Sequence, residues 1–449
     1  MEKMAKFFKL KEHNTNFKTE IIAGITTFMT MAYILAVNPG ILEGAGMDRG
    51  AVFTATAISA SIATLCMAIF ANLPVALASG MGLNAYFAYT VAPEHGWQVA
   101  LFAVLVEGII FIIISFFNVR EKLFDAIPKT IKYAVSVGIG LFICFIGLQN
   151  AGVLSASGAT MVTIGDLHSP SVLLALAGVI ITAVLCIKRV KGALLWGILA
   201  TWILGIILQT IDFEILGMTL YPNVDGNFAL VSLPPSLGEY NLISVIMKGE
   251  LQLKNIFDFC VIVFAFLFVD IFDTIGTLIG VAEKGKLFNK EGKLEKIKPA
   301  LMADAVGTVA GAILGTSTVT SYVESAAGVA EGGRTGFTAL VTSVLFLLAL
   351  VFSPIFNAIP GFATAPALIV VGFFMVESIT KINFSDFMEG FPAFLCIVMM
   401  PLAYSISNGL IFGILSYVLL RVLTGKFKDV SIVMYVVSIL FVLKVIFAP

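Results

Sequence analysis

The stretch Gly315 to Gly333, GTSTVTSYVESAAGVAEGG, predicts the fold more strongly than any other, because it is polar and glycine-bounded inside an apolar chain. Its first part, Thr316 to Ser321, alternates and is rich in β-branched residues, which predicts an extended strand. From Tyr322 the residues favour a short helix, whose first N–H groups would be unpaired in apolar surroundings. A carboxylate at such a position costs free energy, so Glu324 is expected to face a cavity.

The composition is that of a polytopic membrane protein. Of 449 residues, 59% are hydrophobic and 12% are charged, and the mean hydropathy is +1.02. The net charge is −1 and no basic arm occurs, which argues against a nucleic-acid partner. The five cysteines lie singly in apolar runs and the three histidines in terminal or loop positions, so we expect no disulfide, metal site or cofactor.

Apolar segments long enough to cross a lipid bilayer predict the topology. Twelve are continuous and two, at 75–93 and 316–333, are broken by glycines, which makes fourteen crossings. The continuous segments lie at 20–38, 50–71, 98–118, 130–148, 169–187, 191–208, 256–281, 299–314, 335–353, 360–378, 387–403 and 405–424. With a cytoplasmic N-terminus, the 27 Lys and Arg residues then lie inside, apart from Arg49, Lys248, Lys254 and the unassigned Lys444. Whether 430–447 also spans stays open.

Weak internal repeats divide the chain into two halves. The sequence FDAIP at 124–128 is echoed by FNAIP at 356–360. Each half holds seven crossings, and an odd number inserts the second half upside down. We therefore predict an all-α polytopic membrane protein of two inverted repeats, 1–208 and 256–449, joined by an extracytoplasmic linker at 209–255.

The two broken segments are expected to meet near the middle of the membrane. The first, LPVALASGMGLNAYFAY from Leu73, begins extended and turns helical near Met81. Backbone groups outside helices must find partners within a bilayer. We therefore predict that residues 75–79 pair antiparallel with 316–321 as a short two-stranded ladder preceding broken helices 3 and 10.

Four acidic residues fall in the predicted spans of the second half without a cationic residue at the same depth. Asp270 and Asp273 lie three apart on one helical face, Asp304 lies on the next span, and Glu324 lies in the broken helix. Such acids cannot all be ionised in a low dielectric, so some are expected to share protons, as proton coupling requires. A capping or tethering role stays an equal alternative for Asp270. Asp304 is predicted to lie one layer behind the substrate.

Two further acids are predicted to be structural. Glu107 is alone in its span and is interpreted as a buried tether, and Glu331 as the partner of Arg334 at a helix end.

Four motifs together resemble a known family: TSYVESAAGV at 320–329, FDTIG at 272–276, DAVGT at 304–308 and MGLNA at 81–85. From about Phe17 to Lys428 the chain resembles the AzgA-like permeases for adenine, guanine and hypoxanthine, a branch of the nucleobase:cation symporters. The resemblance implies proton-driven import across the cytoplasmic membrane. It also implies a UraA-like arrangement, with a core domain from 17–118 and 256–353 and a gate domain from 124–208 and 356–428.

The same resemblance implies which residues carry the function. Asp273 and Glu324 match base-binding acids, and Asp304 matches the acid tied to protonation. Uracil and xanthine relatives commonly have glutamate where Asp273 stands and asparagine where Ser325 stands, which argues against those substrates.

The chemistry of a purine agrees with this assignment. Its N–H edge suits a carboxylate, and its flat faces suit Tyr322 or Phe87. The predicted substrate-binding residues are thus Asp273, Glu324, Tyr322, Ser321, Asn84 and Phe87, and the predicted proton-coupling residues are Asp304, Asp273 and Asp270. For Tyr322 and Asn84, ordinary packing is the alternative.

Two other functions compete with nucleobase transport. An anion exchanger or channel of the same fold would want a fixed cation where this chain has acids. An intramembrane aspartyl hydrolase using Asp273 and Asp304 lacks motif support, since no Gly-x-Gly-Asp occurs. A transporter, not an enzyme, is therefore expected, and the sequence leaves a homodimer open.

Overall fold

A computed structural model describes residues 2–116, 127–158, 160–210, 231–251, 256–287, 294 and 296–447. Helices cover Glu2–Phe7 (α1), Phe17–Met31 (α2), Ile34–Glu43 (α3), Arg49–Cys66 (α4), Met81–Tyr86 (α5), Ala92–His95 (α6), Trp97–Phe116 (α7), Lys129–Asn150 (α8), Pro170–Ile187 (α9), Ala193–Thr210 (α10), Leu242–Lys248 (α11), Ile256–Gly285 (α12), Ile297–Leu314 (α13), Ser325–Ala330 (α14), Gly336–Ala349 (α15), Ser353–Ala358 (α16), Gly361–Val376 (α17), Phe387–Leu402 (α18), Ile406–Leu423 (α19) and Ile432–Phe447 (α20). Strands cover Leu77–Ser79 (β1), Leu154–Ser157 (β2), Met161–Ile164 (β3) and Val319–Ser321 (β4).

The described helices agree with the predicted crossings. Nine of them, counted within the described ranges, are long and apolar enough to cross a bilayer. The shorter apolar helices α10 and α18, the acid-bearing α12 and the two broken segments supply the other predicted crossings. The predicted linker falls partly outside the described residues, at 211–230 and 252–255, as does most of the 124–128 repeat.

The predicted ladder between the broken segments is confirmed. β1 and β4 pair antiparallel with Leu77 opposite Ser321 and Ser79 opposite Val319. The Gly80 N–H donates to the Thr318 carbonyl at 2.9 Å, and the Tyr322 N–H donates to the Ala76 carbonyl at 3.0 Å. These bonds satisfy backbone groups that neither helices nor water could satisfy inside the bundle.

The two helices after the strands begin at different distances from the ladder. α5 begins at Met81, directly after Gly80, as predicted. α14 begins only at Ser325, three residues later than the expected start at Tyr322. The reason is that Tyr322 still belongs to the ladder through its bond to Ala76.

Glycines permit the close approaches around the ladder. A Cβ atom on Gly80 would lie 2.6 Å from the Thr320 side chain, which is too close for any other residue. Gly315 has φ +103° and faces the Tyr240 carbonyl, to which a Cβ would come within 1.8 Å. The turn from α13 into the strand segment therefore requires glycine.

A buried glutamate joins the first span to the end of the second broken segment. Glu20 is 0% exposed, and its carboxylate accepts hydrogen bonds from the backbone N–H of Arg334 at 2.9 Å and of Thr338 at 3.1 Å. The hydroxyls of Thr335 and Thr338 donate to it at 2.9 and 2.6 Å. The carboxylate thus satisfies the unpaired groups at the N-terminus of α15.

The sequence patterns did not predict three features at the periphery of the fold. β2 and β3 form an antiparallel hairpin between α8 and α9. The chain after α1 packs back on the bundle, where Phe8 contacts Phe337 with ring centroids 5.5 Å apart. The C-terminal stretch forms α20, which buries Met434, Val437 and Phe441 and exposes its opposite face.

Candidate functional site

A cavity of about 740 Å³ lies beside the ladder and both broken helices. One part of its wall consists of Tyr33, Gly80, Met81, Gly82, Leu83, Val269, Asp273, Gly276, Thr277, Ser321, Tyr322, Val323 and Glu324. The rest of the wall consists of Ile127, Pro128, Lys129, Lys132, Tyr133, Val135, Ser136, Ile139, Val371, Phe374, Met375, Ser378 and Lys381. Its volume is typical of a small-molecule site.

The structure brings together four of the six predicted substrate-binding residues. Asp273, Glu324, Tyr322 and Ser321 all line the cavity. They come from α12 and from the segment formed by the end of β4 and the residues before α14, and Asp273 is more than 45 residues from the other three in the sequence. Two carboxyl groups therefore line one cavity.

The other two predicted residues are not among the residues that line the cavity. Asn84 and Phe87 are both 0% exposed. The Asn84 amide lies 3.4 Å from the Ser79 carbonyl, to which it donates. Contact of either residue with a substrate stays a prediction.

Tyr33 is a site residue that sequence reasoning missed. Its hydroxyl donates to Glu324 Oε1 at 2.8 Å, and it lines the cavity from the break between α2 and α3. The hydroxyl of Tyr322 instead donates to the Ser79 carbonyl across the ladder. A lone tyrosine in an apolar span is usually a packing residue, so the pattern carried little signal.

Asp304 lies behind the cavity wall, as predicted. It is 0% exposed, and its Oδ1 accepts a hydrogen bond from the Thr274 hydroxyl at 2.7 Å. The Thr274 hydroxyl also lies 2.8 Å from the Thr320 hydroxyl of β4, and Thr320 is a neighbour of the cavity acid Asp273. Threonine hydroxyls therefore connect the cavity acid to the buried acid.

Asp270 is fully buried beside this chain of hydroxyl groups. Its Oδ1 lies 3.3 Å from the Thr274 hydroxyl one helical turn away. It is not among the residues that line the cavity. Both of its predicted roles, proton coupling and capping or tethering, therefore stay predictions.

Glu107 is buried and hydrogen-bonded to a distant segment, which agrees with its interpretation from sequence as a buried tether. It is 0% exposed on α7, and its Oε2 accepts a hydrogen bond from the Thr318 hydroxyl at 3.3 Å. Asp270 and Asp304 are its charged neighbours. The sequence does not indicate the contact between Glu107 and Asp270, because α7 and α12 are separated by more than 130 residues.

The predicted pair between Glu331 and Arg334 is wrong. Glu331 pairs with Lys191 at 2.7 Å, whereas Arg334 donates from Nη1 to the Val329 and Gly333 carbonyls. The tight turn at the end of α14 places the guanidinium on backbone carbonyls, and Lys191 is brought in from the loop before α10.

Comparison with known proteins identifies the family to which this chain belongs. The sequence profile of the Permease family matches residues 18–412. The guanine/hypoxanthine permease PbuO of Bacillus subtilis is 44% identical, over 97% of this chain and 99% of its own length. The adenine permease AdeP of Escherichia coli is 41% identical, over 99% of this chain and 96% of its own length.

A solved structure supports the fold independently of close sequence similarity. The transmembrane domain of the cyanobacterial bicarbonate transporter BicA superposes with a TM-score of 0.63 over 88% of this chain and 97% of that domain. At 16% identity this likeness concerns the fold alone, and it confirms the predicted architecture of two inverted repeats of seven segments. The chain is a multi-pass membrane protein that belongs to the Permease family, and its predicted resemblance to the purine permeases is confirmed.

Proposed function

We propose that this protein imports purine nucleobases together with protons by alternating access. The observation that carries the proposal is the pair of carboxyl groups, Asp273 and Glu324, on the wall of one cavity. The names of relatives at 41% and 44% identity over nearly the whole chain supply the substrate class, purine bases. The protein is then a transporter that needs no enzymatic chemistry.

Hydrogen-bonding chemistry supports recognition of a neutral base. The N–H groups on a purine edge can donate to Glu324, whose position is held by the hydroxyl of Tyr33. Tyr322 is placed to cover a face of the ring, and the start of α5 at Met81 offers backbone N–H groups to ring acceptors.

Alternating access is supported by the composition of the cavity wall. One part of the wall comes from segments of the proposed core domain and the rest from segments of the proposed gate domain. Movement of one against the other would open the cavity to either side in turn. Lys129, Lys132 and Lys381 line the cavity, so by the positive-inside tendency it opens to the cytoplasm, with the N-terminus on that side.

An anion substrate has less support. The likeness to a bicarbonate transporter rests on fold at 16% identity. The part of the cavity wall next to the ladder carries Asp273 and Glu324, which would repel an anion.

Uptake measurements in a host that lacks its own purine permeases test the proposal. We expect labelled adenine, guanine or hypoxanthine to accumulate above the external concentration, and a protonophore to abolish the accumulation. Accumulation that persists with the protonophore would contradict proton symport. Absence of purine uptake by protein that has reached the membrane would contradict the substrate class.

A further inference from the structure

We propose that Glu107 on α7 belongs to the proton-coupling machinery and holds a proton jointly with Asp270 on α12. This inference rests on the proposed function, because it names a residue through which proton binding would act. It concerns a side chain that does not line the cavity and that the sequence analysis interpreted as a tether, outside the predicted proton-coupling residues.

Close packing brings Glu107 to the acids of neighbouring helices. The next residue, Gly108, lies against α13, where a Cβ atom would come within 2.9 Å of the Val309 side chain. The helices approach closely at this point, and Glu107 itself is 0% exposed. Its carboxyl group must therefore find its partners within the protein.

The two oxygens of Glu107 have different surroundings. Oε2 accepts a hydrogen bond from the Thr318 hydroxyl at 3.3 Å. Oε1 is buried and has no donor among the described residues, although the carboxyl of Asp270 lies within hydrogen-bonding range of Glu107. Glu107 thus combines a buried acceptor that has no donor with a neighbouring carboxyl group.

A proton is the ligand that completes this arrangement. Two ionised carboxylates can only accept hydrogen bonds, so a hydrogen bond between them requires one proton on the pair. Two buried negative charges side by side without that proton would destabilise the folded protein. We infer that the pair takes up one proton from water when the pathway is open and returns it to water on the other side.

A hydroxyl switch connects this pair to the substrate site. The Thr274 hydroxyl lies 2.7 Å from Asp304 Oδ1 and 3.3 Å from Asp270 Oδ1. It has a single proton, so it donates to one carboxylate at a time. Loss of the shared proton would draw this donor toward Asp270. Because Thr274 follows Asp273 directly on α12, the cavity acid would respond.

The charged groups that face Glu107 are few. Asp270 comes from α12 and Asp304 from α13, and both are acidic. Near the start of α12, Asp258 pairs with His95 at 2.8 Å. This pair lies about three helical turns from Asp270 and does not supply the proton that Glu107 and Asp270 share.

The test compares wild type with Glu107→Gln at equal abundance in proteoliposomes. Glutamine keeps the size and the acceptor for Thr318, and its amide can donate to Asp270 as a permanent substitute for the shared proton. We expect exchange of internal for external labelled purine to be retained and accumulation on an imposed pH gradient to be lost. Uphill accumulation equal to that of wild type would overturn the role of Glu107.

A second variant keeps the proposal testable if glutamine prevents folding. Glu107→Asp retains a titratable group but withdraws it from Asp270 by one methylene, so we expect accumulation with an altered dependence on pH. A pH profile identical to that of wild type would overturn the proposal. Failure of wild type itself to accumulate purine on a pH gradient would instead overturn proton symport, and the role of Glu107 with it.

Discussion

Two buried glutamates on different helices of the bundle have opposite surroundings. Glu20 is surrounded by donors, since the backbone N–H groups of Arg334 and Thr338 and the hydroxyls of Thr335 and Thr338 donate to its carboxylate. Glu107 receives one hydroxyl and otherwise faces Asp270. Both are 0% exposed.

The difference shows that burial alone does not identify a proton-binding acid. A carboxylate with several donors is stable when ionised and needs no proton. A carboxyl that faces another carboxyl is stable only with one. Glu20 is therefore a structural link between α2 and α15, whereas our proposal places Glu107 among the acids that bind and release protons.

The largest effect is expected from Glu20→Gln. The amide replaces one acceptor by a donor that would face N–H and hydroxyl donors, and each lost bond to the charge is worth roughly 1.5–3 kcal/mol. We expect a large fall in the thermal unfolding temperature of detergent-purified protein, whereas Glu107→Gln should change it little. Equal unfolding temperatures for the two variants would remove the distinction between the two glutamates.

The second-largest effect is expected from Glu324→Gln, which changes one of the two acids that line the cavity. Glu324→Gln loses the charged acceptor for the N–H edge of a purine, worth roughly 1.5–3 kcal/mol, so binding should weaken on the order of tenfold or more. Equilibrium binding of labelled purine to purified protein measures this loss. Near-normal affinity in folded protein would exclude Glu324 from the site.

A smaller effect is expected from Tyr33→Phe. It removes only the hydroxyl that donates to Glu324 Oε1, a bond worth about 0.5–1.5 kcal/mol, so affinity should fall by roughly two- to tenfold. Tyr435→Phe is the matched control, because its hydroxyl donates to the Phe427 carbonyl on the exposed surface. Equal affinities in the two variants would show that Tyr33 does not position Glu324.

Local patterns predicted the ladder and the cavity acids. The alternation at 316–321 and the glycines at Gly80 and Gly82 specify strand and helix starts within short windows. The acids stood out because a membrane-spanning segment rarely contains one. The strand and helix starts depend on adjacent residues, and the rarity of acids depends on the lipid surroundings. Both can be inferred from the sequence alone.

Contacts between distant segments could not be predicted in this way. Tyr33 reaches Glu324 across 291 positions, and Glu107 reaches Thr318 across 211. Nothing near either residue in the sequence indicates the partner, which depends on how the helices pack. The error over Glu331 has the same origin, because Lys191 comes from another part of the chain.

The central claim is that buried acids behind the cavity couple proton entry to purine entry. Asp304 is the sharpest test of it, because its carboxyl bonds to Thr274 without lining the cavity. Asp304→Asn resembles the protonated acid, so purine binding and exchange should be retained while uphill accumulation is lost.

Proton entry can be measured directly with a pH-sensitive dye inside proteoliposomes that have no initial pH gradient and no membrane potential. When purine is added outside, we expect the lumen to become more acidic with wild-type protein and to stay unchanged with Asp304→Asn at equal abundance. Labelled purine entering through the wild type without acidification would contradict the account, and acidification through Asp304→Asn would place the coupling proton on another acid.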